Sequence, residues 1–498
     1  MITSMGNIMP NLRSKILRNI FWSFSEQFLS KGTGIVTTLF LAWFLVPEDY
    51  ALVAMLAVFI TLSSALVDAG LGQALIRKLE VTEVELNTVF WANIMLGVCV
   101  YLALYLLAPL IAGFYAEPRL IDLIRVVSLS VFFQSMIVVQ KAALSRALKF
   151  NLQVKVVLPA SILSSAIAII FAYFNYGVWA LIYQIVTNSF FLFVFYWLLK
   201  LWRPSFTFRL EAIKELWLFA RYILMDSWVA IPFKNMYLIV LPKYFALGPV
   251  GLYFFAEKIK EALIGLIINS VQVVTYPALA KIQEDQQRLK QGYRKVIAVT
   301  TFLMFPMMFF LAALAPVMFE AALPTKWNGA AVYLQLMCLA SVMYPLHALN
   351  INILQVKGKS NFVLYIGIYK RIINVLVLIY TIQFDILAVI TGQIMLSVVH
   401  FLPNSYYSSK LINYSIKEQL TDFLPGLILS GLIAGLIYYF QLELYWDPLI
   451  ELISLSVVAF CMYLVGAYLL KLHAFVLVQE LLVEKVTKIR GGHEKYKI

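Results

Sequence analysis

Asp226, Lys234, Glu257, Lys258, Lys260 and Glu261 stand inside two apolar runs that fill residues 217–276. A charged side chain at the centre of a bilayer costs at least about 2.5 kcal/mol unless it faces a partner or water. Charges of both signs at that depth point to a polar cavity and to two kinds of chemistry. Lysines hold an anion, while carboxylates take up a coupling proton or sodium ion or balance the lysines. Glu257 and Glu261 are four apart and share a helix face, with Lys260 three from Glu257 and Lys258 three from Glu261, a spacing that permits local pairing. With Gly251 as the outer end of its helix, Glu257 lies about 9 Å deep at 1.5 Å per residue. Asp226 and Lys234, eight apart, fall about 80° apart around a helix and so on one broad face. Pro232 between them removes a backbone donor and can kink the helix. An earlier apolar run carries Glu26 and Lys31, about 140° apart on a helix, so at least one of them needs a partner on another helix.

Lys31 and Lys234 are too deep for easy snorkelling and are the leading candidates to contact an anionic substrate, with Lys258 and Lys260 completing the set of cavity cations. Glu26, Asp226, Glu257 and Glu261 are the candidates for ion coupling or charge balance, and Lys370 and Arg371 are secondary candidates. The plain alternative for the 257–261 cluster, and for Lys370 and Arg371, is mutual neutralisation that merely locks helices together. Arg125 and Arg221 lie near span ends and read as snorkelling side chains.

These residues have to be positioned by membrane helices. The chain has 498 residues, 62% of them hydrophobic and only 13% charged, where soluble domains average about 25% charged. That composition excludes a large soluble domain and predicts an all-α polytopic membrane protein. About 20 apolar residues cross the hydrocarbon, and fourteen stretches qualify: 19–45, 50–67, 88–114, 120–140, 155–174, 178–198, 217–243, 250–276, 296–319, 328–354, 361–381, 384–402, 423–440 and 447–470. The first is too long for a signal-peptide core and reads as a retained span. With the N-terminus placed in the cytoplasm, 28 of the 39 lysines and arginines fall in cytoplasmic segments, and only Arg119, Lys243 and Lys326 in outer loops. That bias predicts a multi-pass protein with both termini cytoplasmic. It also accounts for the net charge of +13 by topology beside an anionic leaflet rather than by nucleic-acid binding.

A shift of 200 residues lays LAWFLVPEDYALVAM (41–55) over LPKYFALGPVGLYFF (241–255), and the same shift brings Glu26 to Asp226. An even number of spans separates the copies, so they share an orientation. The reading is two pseudo-symmetric six-helix lobes, residues 1–200 with spans 1–6 and 201–410 with spans 7–12. Residues 411–498 then carry spans 13 and 14 and a basic cytoplasmic tail. Parallel repeats of this kind are a transporter arrangement. Cys99, Cys338 and Cys461 are scattered through apolar segments and read as packing residues, and the four histidines are equally scattered. GTG at 32–34 lacks the Lys-Ser/Thr ending of a phosphate loop and reads as close helix packing. Without a nucleophile motif, metal constellation or ATP site, an enzyme is not expected. Any energy source must then be an ion gradient, the membrane potential or substrate supply.

The stretch LFLAWFLVPEDYALVAMLAVFITLSSALVDAGLGQALIRK (39–78) resembles Wzx-type polysaccharide flippases of the multidrug/oligosaccharidyl-lipid/polysaccharide exporter superfamily, nearest the branch of colanic- and teichuronic-acid exporters. TVFWANIMLG (88–97), APLIAGFYAEPRL (108–120), LSRALKF (144–150) and GVWALIYQIV (177–186) extend the resemblance, and PVGLYFFAEKI (249–259) resembles the second-lobe counterpart. The likeness is specific over 39–186 and weaker after 300. It implies alternating access that carries an undecaprenyl-diphosphate-linked oligosaccharide from the cytoplasmic to the outer leaflet of a bacterial inner membrane. The implied partners are that substrate, membrane lipid and a polysaccharide polymerase or export machinery. No cofactor is implied beyond coupling to H+ or Na+. Related flippases line their cavity with cations from spans 1, 2, 7 and 8. Lys31, Lys234, Lys258 and Lys260 occupy spans of that set, whereas span 2 has no deep cation here. The competing reading is an ion-coupled multidrug-type antiporter for small molecules. That would favour an acidic cavity, and this chain has at least as many deep lysines as acids.

Overall fold

A computed structural model describes residue 29, residues 32–477 apart from 69, 79, 148 and 445, and residue 479. Glu26 and Lys31 lie outside the described residues. The described chain is helical: α1 (Gly32–Phe44), α2 (Pro47–Asp68), α3 (Leu71–Arg77), α4 (Glu83–Tyr115), α5 (Leu120–Val127), α6 (Leu129–Ser135), α7 (Val138–Arg146), α8 (Phe150–Tyr173), α9 (Val178–Leu198), α10 (Leu210–Lys234), α11 (Met236–Tyr244), α12 (Leu247–Lys281), α13 (Gln286–Ala322), α14 (Gly329–Ser341), α15 (Tyr344–Val356), α16 (Ser360–Thr381), α17 (Ile386–Ile412), α18 (Ile416–Glu443) and α19 (Pro448–Leu469). Among the described residues, ten helices are long and apolar enough to cross a membrane, or twelve if each of two bent helix pairs is one span. The chain is therefore an all-α, multi-pass membrane protein. Hydropathy requires this fold class, because only helices satisfy their own backbone within lipid one segment at a time.

Three of the predicted spans are broken, 328–354 between α14 and α15 among them. Over 120–140 the chain forms α5 and α6 and then turns by 41° into α7. Over 217–243, α10 ends at Lys234, and the Asn235 side chain and backbone N–H both donate to the Ile231 carbonyl, at 2.8 and 3.0 Å. Pro232 inside that last turn supplies no N–H of its own. Polar starts set other helix limits. Thr82 and Glu85 form a reciprocal capping box on α4, as do Ser415 and Glu418 on α18. In the turn between α4 and α5, Arg119 donates two hydrogen bonds to the Glu117 carboxylate, at 2.7 and 3.0 Å. Those bonds hold the Glu117 carboxyl below its ordinary range.

The chain falls into two compact units, one ending at Phe255 and one starting at Ala256. In the first, α2 is the central helix, with 56% of its apolar window buried against 28% for α8 and 22% for α9. It is apolar all round, as a helix enclosed by neighbours should be. α4, α6, α9, α10 and α11 pack around it. In the second unit α13 has the same rank, with 56% of its window buried, and α14, α18 and α19 pack on it.

The 200-residue offset reappears in the helix ends of the first unit. Phe44 ends α1 and Tyr244 ends α11, and Pro47 begins α2 where Leu247 begins α12. These two helical turns meet. A Cβ on Gly251 would lie 1.7 Å from the Pro47 carbonyl oxygen, so only glycine allows the backbones this close. Tyr50 packs edge-on against Phe255, ring centroids 5.4 Å apart, and donates to the Thr38 carbonyl at 3.1 Å. At Gly248 a Cβ would meet only the flexible end of Glu48, at 3.0 Å. Gly251→Ala should therefore lower the thermal midpoint of the detergent-purified protein, by an overpacking cost of roughly 1–3 kcal/mol, and Gly248→Ala much less. Equal midpoints for the two variants would refute the assigned contact.

Candidate functional site

The charged cluster of α12 lies in the second unit and is largely neutralised from within. Lys260 donates to Glu257 at 2.6 Å, one helical turn away, and the two side chains are 10% and 21% exposed. The pairing is the i,i+3 geometry that the sequence spacing permits. Buried Cys338 of α14 is an electrostatic neighbour of both members of the pair. Tyr344, the first residue of α15, sits beside Glu261 and Lys260. Lys258 is half-buried and engaged, and Glu261 is exposed.

α10, in the first unit, is different. Its early part is anchored: Leu216 and Ala220 are buried in an apolar cluster with Leu71, Leu75, Val89 and Phe90. A Cβ on Gly70, which has φ +70°, would lie 2.9 Å from the Ala220 carbonyl oxygen. Beyond Ala220 no residue of α10 is buried. Asp226 and Lys234 are both exposed there, and among the described residues neither has a hydrogen-bond or ion-pair partner. Tyr222, Trp228 and Phe233 are exposed on the same stretch. Lys234 is the last residue of the helix, where the helix dipole favours a cation. The break at Asn235 therefore leaves an exposed ammonium at the end of a stretch that also carries exposed aromatic rings.

Lys370 stands near the middle of α16, and its charge reaches both His347 and His400. Arg371 is half-buried and engaged. Among the described residues no group of three or more His, Cys, Asp or Glu side chains is placed to hold a metal ion.

Sequence reasoning missed a cavity of about 340 Å³ in the first unit, where Asp68, Gln73, Gln134 and Lys141 stand among apolar lining residues. Asp68 accepts from the Gly72 N–H at 3.2 Å, and the Lys141 charge acts on it. A second recess of about 530 Å³ is lined in part by Arg77, Lys78 and Arg146. Arg146 donates to the carbonyls of Leu75 and Lys78 at the end of α3, and Lys78 pairs with Glu85. The signal was present in VDAGLGQALIRK and LSRALKF, whose glycines, aspartate and arginine build this turn.

The internal pair has a measurable consequence. Lys260→Met strands the Glu257 carboxylate in a low-dielectric interior and should destabilise the purified protein by about 3 kcal/mol. Adding Glu257→Gln should recover most of that loss. A double variant no more stable than Lys260→Met alone, read by thermal unfolding, would contradict mutual neutralisation.

A family described as polysaccharide biosynthesis protein matches residues 40–332. The chain is similar to the teichuronic acid biosynthesis protein TuaB of Bacillus subtilis (strain 168), 25% identical over 371 residues, covering 74% of this chain and 76% of TuaB. It is also similar to the lipopolysaccharide biosynthesis protein WzxC of Escherichia coli (strain K12), 24% identical over 362 residues, covering 72% of this chain and 74% of WzxC. In fold it is similar to the lipid II flippase MurJ in an inward closed conformation, with a TM-score of 0.73 at 14% identity, over 91% of this chain and 98% of MurJ.

Proposed function

This chain belongs to the polysaccharide biosynthesis protein family, and from that premise we propose that it is a flippase of a bacterial inner membrane. The substrate we propose is an undecaprenyl-diphosphate-linked oligosaccharide, carried by alternating access from the cytoplasmic to the outer leaflet for polysaccharide export. The architecture proposed with it is fourteen spans, six to each of two lobes and two at the C-terminal end, with both termini cytoplasmic. A polysaccharide polymerase or export machinery is the proposed partner on the product side.

The observation that carries this reading is Lys234, exposed at the break between α10 and α11 and without a partner among the described residues. A diphosphate cannot cross hydrocarbon unaided. An ammonium that is not already neutralised replaces part of its hydration and holds it by charge-assisted hydrogen bonds. Exposed Trp228 offers a face on which a sugar ring can stack. Lys260, held by Glu257, is the weaker candidate for that contact, and Lys31 and Lys258 complete the proposed set. Asp226, exposed and unpaired on α10 like Lys234, is the proposed proton or sodium acceptor, with Glu26 and Glu261 as further carboxylates of that role.

Lys234→Met should reduce export at least tenfold, the loss of one charge-assisted hydrogen bond of about 1.5–3 kcal/mol, with the protein still in the membrane. Lipid-linked oligosaccharide should then accumulate on the cytoplasmic face of cells lacking the wild-type copy. Lys234→Arg should retain part of the activity. Wild-type export by Lys234→Met at normal membrane levels would sink the assignment.

A further inference from the structure

Lys370 is near the midpoint of the 22-residue helix α16, about 15 Å from either end at 1.5 Å per residue. It cannot snorkel easily from there, and among the described residues no carboxylate pairs with it. Its neighbours are imidazoles. His347 of α15 and His400 of α17 stand with ring centroids 6.4 Å apart in an edge-on arrangement, and the Lys370 charge acts on both. The helices α15, α16 and α17 pack on one another, so the three side chains share one region of the second unit.

The polar atoms there are conspicuously unfilled. His400 Nε2, Asn404 Oδ1 and Ser397 Oγ are all buried without a hydrogen-bond partner. His400 and Ser397 are each only 9% exposed. The Asn404 amide nitrogen lies 3.0 Å from His347 Nδ1. With the amide donating, the ring proton sits on Nε2, and the His347 ring also bonds the Ser397 backbone. One turn further along the same helices the contrast is plain. Asn350 accepts from Tyr293 at 2.8 Å and from Ser408, and donates to Ser405 at 3.4 Å. Ser405 in turn donates to Gln419 at 3.0 Å. Orphaned buried donors cost about 1–3 kcal/mol each, and a mid-membrane ammonium costs more.

We propose that Lys370, His400 and Ser397 form an anion-binding site beside His347 and Asn404 inside the second unit, taking an oxyanion of the phosphate class. An ammonium, the His400 ring N–H and a hydroxyl make a donor set with a net positive charge, and among the described residues no carboxylate pairs with Lys370. The phosphate can come from solution or from a lipid headgroup, and the chemistry of recognition is the same. The site does not depend on the flippase reading, since Lys234 is a separate residue in the first unit.

The test uses the full-length protein in nanodiscs of phosphatidylcholine, titrated with inorganic phosphate and pyrophosphate by calorimetry. Binding should weaken at least tenfold in Lys370→Met and measurably in His400→Gln, which keeps most of the volume and one donor group. Nitrogen NMR of labelled histidine should show anion-dependent shifts in the wild type that Lys370→Met abolishes. Nanodiscs containing phosphatidic acid separate the two sources: weakened binding of free phosphate identifies a lipid phosphate as a competent ligand, and unchanged binding assigns the site to soluble anions. Should Lys370→Met fail to fold, Lys370→Arg must retain binding while His400→Gln weakens it. The proposal is overturned if the wild type binds neither anion, or if every folded variant binds within twofold of it. Loss of export in Lys234→Met with anion binding at Lys370 intact would leave the two assignments distinct.

Discussion

A charge in hydrocarbon has to be answered inside the protein, and that requirement orders this structure. Water is not there to finish an incomplete polar arrangement, so each deep side chain must be paired, capped or reserved for a ligand. Lys260 is answered by Glu257 one turn away. Outside the predicted spans the same pairing recurs: Arg146 is answered by two backbone carbonyls at the end of α3, and Arg294 by Asp422 through two bonds of 2.7 Å, with the Tyr414 hydroxyl also donating to Asp422. Once these are set aside, Asp226, Lys234, Glu261 and Lys370 remain without a hydrogen-bond or ion-pair partner among the described residues. Their separation from the others is a physical result and does not follow from residue type, since Lys260 and Lys234 are the same amino acid.

The same requirement explains why the helices approach each other through small residues. Lipid tails are as apolar as leucine, so membrane helices gain little from burying apolar surface against one another and rely on close packing. The meeting of Gly251 with the Pro47 carbonyl is the extreme case. Gly70 against Ala220 is another, and there the left-handed backbone at φ +70° demands glycine as well. Both contacts join segments far apart in sequence within the first unit. They hold α10 and the start of α12 against α2 and α3 and so fix where Lys234 is presented.

The membrane character of the fold was legible because hydropathy is summed over some twenty residues and tolerates local error. The Lys260–Glu257 pair was legible because a helix converts a three-residue spacing into contact. The end of α10 was half legible: Pro232 announced a kink, but the stop at Asn235 depends on a side chain that folds back onto the Ile231 carbonyl. The His347–His400 pair was not legible. The two rings lie on different helices, 53 positions apart in a chain with only four histidines, and no local pattern links them. The cavity at Asp68 and Lys141 was hidden for a related reason, since it exists only where α6 breaks into α7 beside α3.

That cavity also shows what the resemblance to a known family rests on. VDAGLGQALIRK and LSRALKF supply Gly70 for a left-handed turn and Gly72 for the Asp68 bond. They also supply Arg146 for the end of α3. Each of these roles is architectural: each fixes backbone, and none presents an unpaired group to a ligand. Asp226, Lys234 and Lys370, on α10 and α16, lie outside the stretch 39–186 where the resemblance is most specific. Segments that hold the fold tolerate little change, because a Cβ at Gly70 or Gly251 collides with backbone. The exposed part of α10 beyond Ala220 has no such restraint. Substrate preference among relatives of this fold should therefore vary on α10 while the α2–α3 turn stays fixed. Exchanging residues 221–234 between this protein and a relative with a different sugar should move specificity, whereas exchanging 68–78 should alter only folding.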